Sequence, residues 1–324
     1  MNEMILGLDT SNYRTSAAVI TRDGRIVLNE RRLLKVPGGE RGLRQSDAVF
    51  LHIQQLKEMA AAIRQATTKG ELIAVAVSTR PRDQEDSYMP VFQVGNTIGQ
   101  YISAVLHVPC YETSHQMGHL FAAAYGTILE NRDHYLAIHL SGGTTELLVR
   151  NGMKITLLGG TKDLHAGQLV DRTGVSLGLG FPAGPEMEAL AEKGTARGRL
   201  GCSMEGDDLF CHFSGAETRV QQWIREGSLP KEDIAREVFE LLARTVARLL
   251  HAGRKKTGIK QALVTGGVAA SGLLRHLILT RLQMIDQEIE TVFGSEELSG
   301  DNAVGTALAG ACMLQDDMAE NKEE

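Results

Sequence analysis

Tyr135-Leu-Ala-Ile-His-Leu-Ser-Gly-Gly-Thr-Thr-Glu-Leu-Leu-Val-Arg150 holds an apolar run, a tight turn of small hydroxyl and glycine residues, and a second apolar run. This pattern predicts two strands joined across a polar turn, and Asn151-Gly152 just beyond supplies a hairpin to a third. The same layout stands near the start of the chain. Met4-Ile-Leu-Gly-Leu-Asp9 leads into Asp9-Thr10-Ser11, Ser16-Ala-Ala-Val-Ile20 resumes the β pattern, and Asp23-Gly24 turns it toward Arg25-Ile-Val-Leu28. Two such units, each opening a half of the chain, predict a duplicated two-lobed α/β fold with a nucleotide cleft between the lobes.

Helical periods fill the intervals. From Asp47 to Gln65 the apolar residues Val49, Phe50, Ile53, Leu56, Met59, Ala60 and Ile63 recur at helical spacing and predict one buried face. Residues 72–77 read as a buried strand and 97–106 as a further helix. A long helix over 233–254 turns Ile234, Val238, Leu241, Leu242, Val246, Leu249 and Leu250 inward. A third glycine turn follows in Ala262-Leu-Val-Thr-Gly-Gly-Val-Ala-Ala-Ser-Gly-Leu-Leu-Arg275, a strand, a turn and a helix start whose free N–H groups would favour an anion. Neither GxxxxGK[ST] nor GxGxxG is present, so the P-loop and Rossmann readings lack their residues.

Composition narrows the class. The 324 residues are 43% hydrophobic and 23% charged, which fits a soluble globular protein of two ordinary domains. The chain has no run of eighteen apolar residues, and its N-terminus reaches Asp9 too soon for a signal peptide, so no membrane association and a cytoplasmic location are expected. Cys110, Cys202, Cys211 and Cys312 lack CxxC spacing and read as buried thiols. A net charge of −6 leaves any nucleic-acid surface to local stretches. One carries Arg22, Arg25, Arg31, Arg32, Lys35, Arg41 and Arg44 against Asp23, Glu30 and Glu40; the other carries Arg244, Arg248, Arg254, Lys255, Lys256 and Lys260. The acidic tail from Asp316 to Glu324 is expected to fray.

Thr113-Ser-His-Gln-Met-Gly-His-Leu-Phe-Ala122 holds the most distinctive chemistry, because His115 and His119 at i and i+4 of a helix could reach a single metal ion. The Glu of the HExxH zinc-protease motif is missing, which argues against hydrolysis.

Several segments together resemble the TsaD family of tRNA threonylcarbamoyladenosine transferases, within the actin-like, sugar-kinase-like ATPase fold known as ASKHA. They are Asp9-Thr-Ser-Asn-Tyr-Arg-Thr-Ser16, Leu140-Ser-Gly-Gly-Thr144, Leu177-Gly-Leu-Gly-Phe-Pro-Ala-Gly-Pro-Glu186, Phe213-Ser-Gly215, Thr265-Gly-Gly-Val-Ala-Ala270 and Gly300-Asp-Asn-Ala303. The resemblance implies a third metal ligand, Asp301, beside His115 and His119, for one divalent ion, iron or zinc. It implies nucleotide or substrate contacts at Asp9, Ser11, Leu140, Ser141, Gly142, Gly143, Thr144, Asp171, Gly184, Gly266, Gly267 and Ser271, with ATP or threonylcarbamoyl-AMP as ligand. It also implies transfer of threonylcarbamoyl to N6 of adenosine 37 of tRNA, alongside a smaller actin-like paralogue and an ATPase partner. The expected domains are an N-terminal actin-like lobe, 1–106, against which a C-terminal helix, 303–319, packs back, and a C-terminal lobe, 107–302, with the metal and nucleotide site.

Departures from the family pattern point to a divergent paralogue. Thr144 stands for a histidine and Ser271 for an asparagine; Asp163-Leu-His-Ala-Gly-Gln168 lacks two carboxylates; Glu217 stands for a lysine. Arg44-Gln-Ser-Asp-Ala-Val-Phe-Leu-His52 replaces a Ser-Arg-x-His region, and Arg80-Pro-Arg-Asp-Gln-Glu-Asp-Ser-Tyr-Met-Pro90 replaces a glycine-rich loop. Two alternatives therefore stand beside the transferase: a nucleotide-binding scaffold of a tRNA-modification complex without transfer activity, and a small-molecule kinase or carbamoyltransferase of the same fold.

Overall fold

The computed structural model of the chain describes residues 2–11, 13–35, 43–84 and 86–323, with side chains to residue 320. It forms two compact units, Met1–Ala123 with Gly300–Glu324, and Ala124–Ser299. In the first, β1 (Asn2–Asp9), β2 (Arg14–Thr21), β3 (Ile26–Leu33), β4 (Gly70–Arg80) and β5 (Cys110–Ser114) form a sheet of order β3-β2-β1-β4-β5. β2 is antiparallel to both β1 and β3, while β1, β4 and β5 run parallel.

The buried run in β1 has helices on both faces, which explains why it is apolar throughout. Met4, Leu6 and Leu8 pack with Val75 and Val77 against Leu56 and Met59 of α1 (Gln45–Thr67) and Val94 of α2 (Phe92–Leu106). Ile5 packs on the opposite face, with Ile20, Ala74 and Ala307, Ala311 and Leu314 of α9 (Val304–Glu323). Gly7 lets α9 approach: a Cβ there would stand 2.5 Å from the Ala303 carbonyl oxygen.

Two expectations need correction here. The inward face of α1 runs through Ala48, His52, Leu56 and Met59, and Phe50 and Ile53 are instead 60% and 50% exposed. A count of apolar residues misses this because His52 is drawn in with a partner, its Nδ1 lying 2.8 Å from Thr15 Oγ1. Of the acidic tail, residues 316–323 continue α9 and Glu324 lies outside the described residues; the Tyr111 hydroxyl donates to Asp317 across 2.6 Å.

In the second unit, β6 (His134–Leu140), β7 (Thr145–Asn151), β8 (Lys154–Thr161), β9 (Ser203–Glu205), β10 (Phe210–His212), β11 (Gln261–Thr265) and β12 (Glu290–Phe293) order as β12-β11-β6-β7-β8-β10-β9. The run β8-β7-β6-β11-β12 repeats the directions of β3-β2-β1-β4-β5, with an antiparallel meander followed by parallel strands. Its core gathers around α7 (Lys231–Thr257), whose Ile234, Val238, Leu241, Leu242, Val246, Leu249 and Leu250 are all buried.

The units divide after residues 123 and 299, whereas the sequence suggested 106 and 302. β5 pairs with β4, so the segment after α2 stays with the first sheet and carries most of α3 (His115–Ala124) with it. Among the described residues, no helix is long and apolar enough to cross a membrane.

Candidate functional site

α3 begins where β5 ends, which sets His115 and His119 at the sheet's edge. Gly305 lets the start of α9 touch the α3 backbone between them, since a Cβ on Gly305 would fall 1.8 Å from the Gly118 carbonyl oxygen. Asn302 caps α9 by accepting from the Val304 N–H at 3.1 Å, and this fixes the preceding residue, Asp301. The result is a convergence of three donor atoms. His115 Nε2 and His119 Nε2 are 2.9 Å apart, and Asp301 Oδ1 lies 3.5 Å from the first and 3.3 Å from the second. Ligand atoms about 2.1 Å from one ion, at tetrahedral or octahedral corners, stand about 3.0–3.4 Å apart, so this set fits a divalent cation.

The electrostatics agree with that fit. Burial works against a charged His115, yet the Asp9 and Asp301 carboxylates raise its pKa to about 10. Burial likewise opposes the Asp301 anion, and hydrogen bonds from His115 and His119 hold its pKa well below the usual carboxylate range. A site that concentrates negative charge around a proton can exchange that proton for a metal.

The second unit contains a pocket of about 570 Å³. Gly142, from the turn between β6 and β7, meets Gly167 and Asp171 of α4 (Ala166–Ser176), Gly184 and Glu188 of α5 (Gly184–Ala191), and Gly267 and Ser271 of the third glycine turn there. A Cβ on Gly142, Gly184 or Gly267 would meet nothing within 4 Å, so backbone faces open space at three points of the wall. Asp171 Oδ1 accepts from the Ala183 N–H at 2.8 Å.

Five of the expected contact residues, Gly142, Asp171, Gly184, Gly267 and Ser271, thus line one cavity. Others have different surroundings. Leu140 is buried, Ser141 donates its N–H to the Thr144 carbonyl at 2.8 Å, and Gly143 donates to Ser141 Oγ at 3.3 Å. Gly266, at φ +101°, lies against the end of β6, where a Cβ would stand 2.3 Å from the Leu140 oxygen. Asp9 and Ser11 belong to the first unit and are each 1% exposed, and the Ser11 N–H donates to Asp9 Oδ1 at 2.8 Å.

The helix start in the third glycine turn differs from its expected role as an anion site. At the beginning of α8 (Gly272–Ile285), the Leu273 N–H donates to Glu188 Oε1 at 2.8 Å and the Leu274 N–H to Ser271 Oγ at 3.1 Å. A carboxylate of the protein already occupies that helix end. Glu188 was missed from the sequence, although its spacing four residues after Gly184 on one helix was the available signal.

The residues that depart from the family pattern have internal partners. Gln168 Oε1 accepts from the His165 N–H, and Glu217 accepts from Arg172 at 3.1 and 3.2 Å. Asp163 caps α6 (Ser214–Glu226), accepting from the Phe213 and Ser214 N–H groups at 2.8 and 3.1 Å. In the charged loop Arg80 pairs with Asp83, and Glu85 lies outside the described residues.

Some cations of the basic stretches are paired with carboxylates. Arg248 pairs with Asp208, Arg254 with Asp286, and Lys260 with Glu288. In the first stretch Arg22 pairs with Glu3 and Arg32 with Glu30 and Glu58, while Arg41 lies outside the described residues. Cys211 is buried, whereas Cys110, Cys202 and Cys312 are only half-buried; all four are free thiols.

Two repeated meander sheets, one with a three-donor cluster and the other with a glycine-walled pocket, define an α/β protein of the actin-like, sugar-kinase-like class. Solved structures of that class agree with it. The ROK hexokinase of Thermus thermophilus superposes with a TM-score of 0.56 at 14% identity, over 97% of this chain and 99% of that one. Full-length HypF, in its phosphate- and nucleotide-bound form, gives 0.62 at 13% identity over 98% of this chain, which spans 46% of the HypF chain. Residues 41–308 match the family described as TsaD, tRNA N6-adenosine threonylcarbamoyltransferase. A protein of that name from Thermus thermophilus is 32% identical over 311 residues, covering 94% of this chain and 91% of its own. The chain belongs to the TsaD family of transferases.

Proposed function

We propose that this protein transfers a threonylcarbamoyl group from its adenylate to N6 of adenosine 37 in tRNA, and that His115, His119 and Asp301 hold a divalent ion, iron or zinc. The observation that carries the reading is the pocket of the second unit. Residues from four separate segments, Gly142, Asp171, Gly184 and Gly267, meet there in a chain whose relatives carry that transferase name. The adenylate's ribose is assigned to Asp171, whose second oxygen is left to accept from a hydroxyl. Its phosphate is assigned to the Gly142–Gly143 turn, because Glu188 holds the α8 end of the pocket with negative charge. An ion on the three donors supplies Lewis acidity toward a carbonyl or phosphoryl oxygen. Both histidines would bind through Nε2, and Phe92 packs beside the His115 ring at 6.1 Å between centroids.

The family resemblance adds a smaller actin-like paralogue and an ATPase partner. The test is transfer of label from threonylcarbamoyl-AMP to tRNA by the protein together with those partners, with His119→Ala beside it and metal content measured in both. Transfer should fall at least ~100-fold in the variant, in line with loss of a direct ligand. Equal transfer by metal-free His119→Ala would remove the ion from the reaction. Nucleotide binding without transfer by the wild type would favour the scaffold reading, in which Thr144, Gln168, Glu217 and Ser271 are losses of function.

A further inference from the structure

Resting on the reading of His115, His119 and Asp301 as metal ligands, we infer that Asp9 is a positioning residue for that centre: it holds the His115 ring by Nδ1 so that Nε2 faces the other two donors. Asp9 Oδ2 lies 2.7 Å from His115 Nδ1, across 106 residues of sequence. Its other oxygen, Oδ1, accepts from the Ser11 N–H at 2.8 Å. Both oxygens are therefore engaged inside the protein, and the side chain is 1% exposed. A carboxylate in that position has no free face for a phosphate, and it would repel one.

The geometry suits an orienting role. Only one His115 nitrogen faces the cluster, and Asp9 takes the other, so the tautomer with hydrogen on Nδ1 is the one that leaves a lone pair on Nε2 for an ion. A carboxylate behind a ligating imidazole fixes the ring and raises its basicity. The turn that carries Asp9 is itself anchored: Thr10 Oγ1 donates to the Val91 carbonyl at 2.8 Å and accepts from the Gly95 N–H at 3.1 Å. Thus β1 contributes to the centre without supplying a ligand to it.

The experiment is zinc affinity, by competition with a chromophoric chelator, and the ligand-field spectrum of the cobalt(II) form, for wild type, Asp9→Asn, Asp9→Ala and Thr10→Val. Asp9→Ala should bind zinc about 10–100-fold more weakly and alter the cobalt spectrum. Asp9→Asn keeps an acceptor for Nδ1–H without the charge, so it should retain the fold and lose less affinity; it carries the measurement if the alanine variant does not fold. Thr10→Val loosens the turn but keeps the Asp9 carboxylate on Nδ1, so it should weaken zinc binding less than Asp9→Ala does. In the zinc form, nitrogen NMR of the imidazoles should show His115 bound through Nε2 with hydrogen on Nδ1. Wild-type affinity and spectrum in the folded Asp9 variants, or zinc on Nδ1, overturns the inference alone. Absence of zinc binding by the wild type overturns the metal reading and this inference with it.

Discussion

The turn after β1 and the turn after β6 occupy equivalent places in the two repeated sheets, yet they are built in opposite ways. The first is closed on itself, with Asp9, Thr10 and Ser11 buried and the side chains of Asp9 and Thr10 bonded inward. The second is open. Gly142 and Gly143 present bare backbone, and the turn is held from beneath by Gly167, where a Cβ would stand 2.6 Å from the Gly142 nitrogen. Duplication repeats the strand-turn-strand path, and the side chains then decide whether a turn steadies a neighbouring residue or faces a ligand.

The largest expected effect lies beneath the closed turn. Burial pushes the His52 imidazole down to about 4, against the attraction of Asp9. The folded state therefore favours neutral His52, and the unfolded state takes up its proton first as pH falls. The contribution should be fully present above about pH 6.5, decline from there to about pH 4, and amount to about 3 kcal/mol. Urea unfolding of wild type and His52→Gln across that range measures it; equal slopes in the two proteins would assign the loss to other groups.

Next come changes that loosen either turn. Thr10→Val leaves the Val91 oxygen and the Gly95 N–H without their partner and should cost about 2 kcal/mol, read by the same denaturation. Gly167→Ala forces a methyl into the Ser141–Gly142 backbone and should cost about 1–3 kcal/mol while weakening nucleotide binding. The smallest stability change is expected at Gly142→Ala, whose methyl meets no protein atom. Stability should stay within about 0.5 kcal/mol. Nucleotide affinity, measured by calorimetry, should nevertheless fall roughly tenfold; unchanged affinity would mean that the open turn does not contact the ligand.

Much of this was legible in the chain. The two meanders could be read because each turn announces itself with small residues between apolar runs, and the histidine pair because four residues bring side chains to one helix face. The α1 face was misread because hydrophobic periodicity has no sign for a buried histidine with a threonine partner. Asp9 could not be assigned to His115, since local pattern carries no information about a contact made across 106 residues. The α8 start is opaque for a related reason: the carboxylate that takes one of its N–H groups comes from a different helix.

The first unit is assembled from both ends of the sequence, and this imposes an order on synthesis. As the chain leaves the ribosome, residues 124–299 are complete and contiguous before residue 300 is added. Until α9 emerges, Ile5, Ile20 and Ala74 lack the helix that covers them, and His115 and His119 lack Asp301. The three-donor centre is thus a late product of translation, so an unfinished chain carries two histidines but cannot yet offer an ion all three ligands.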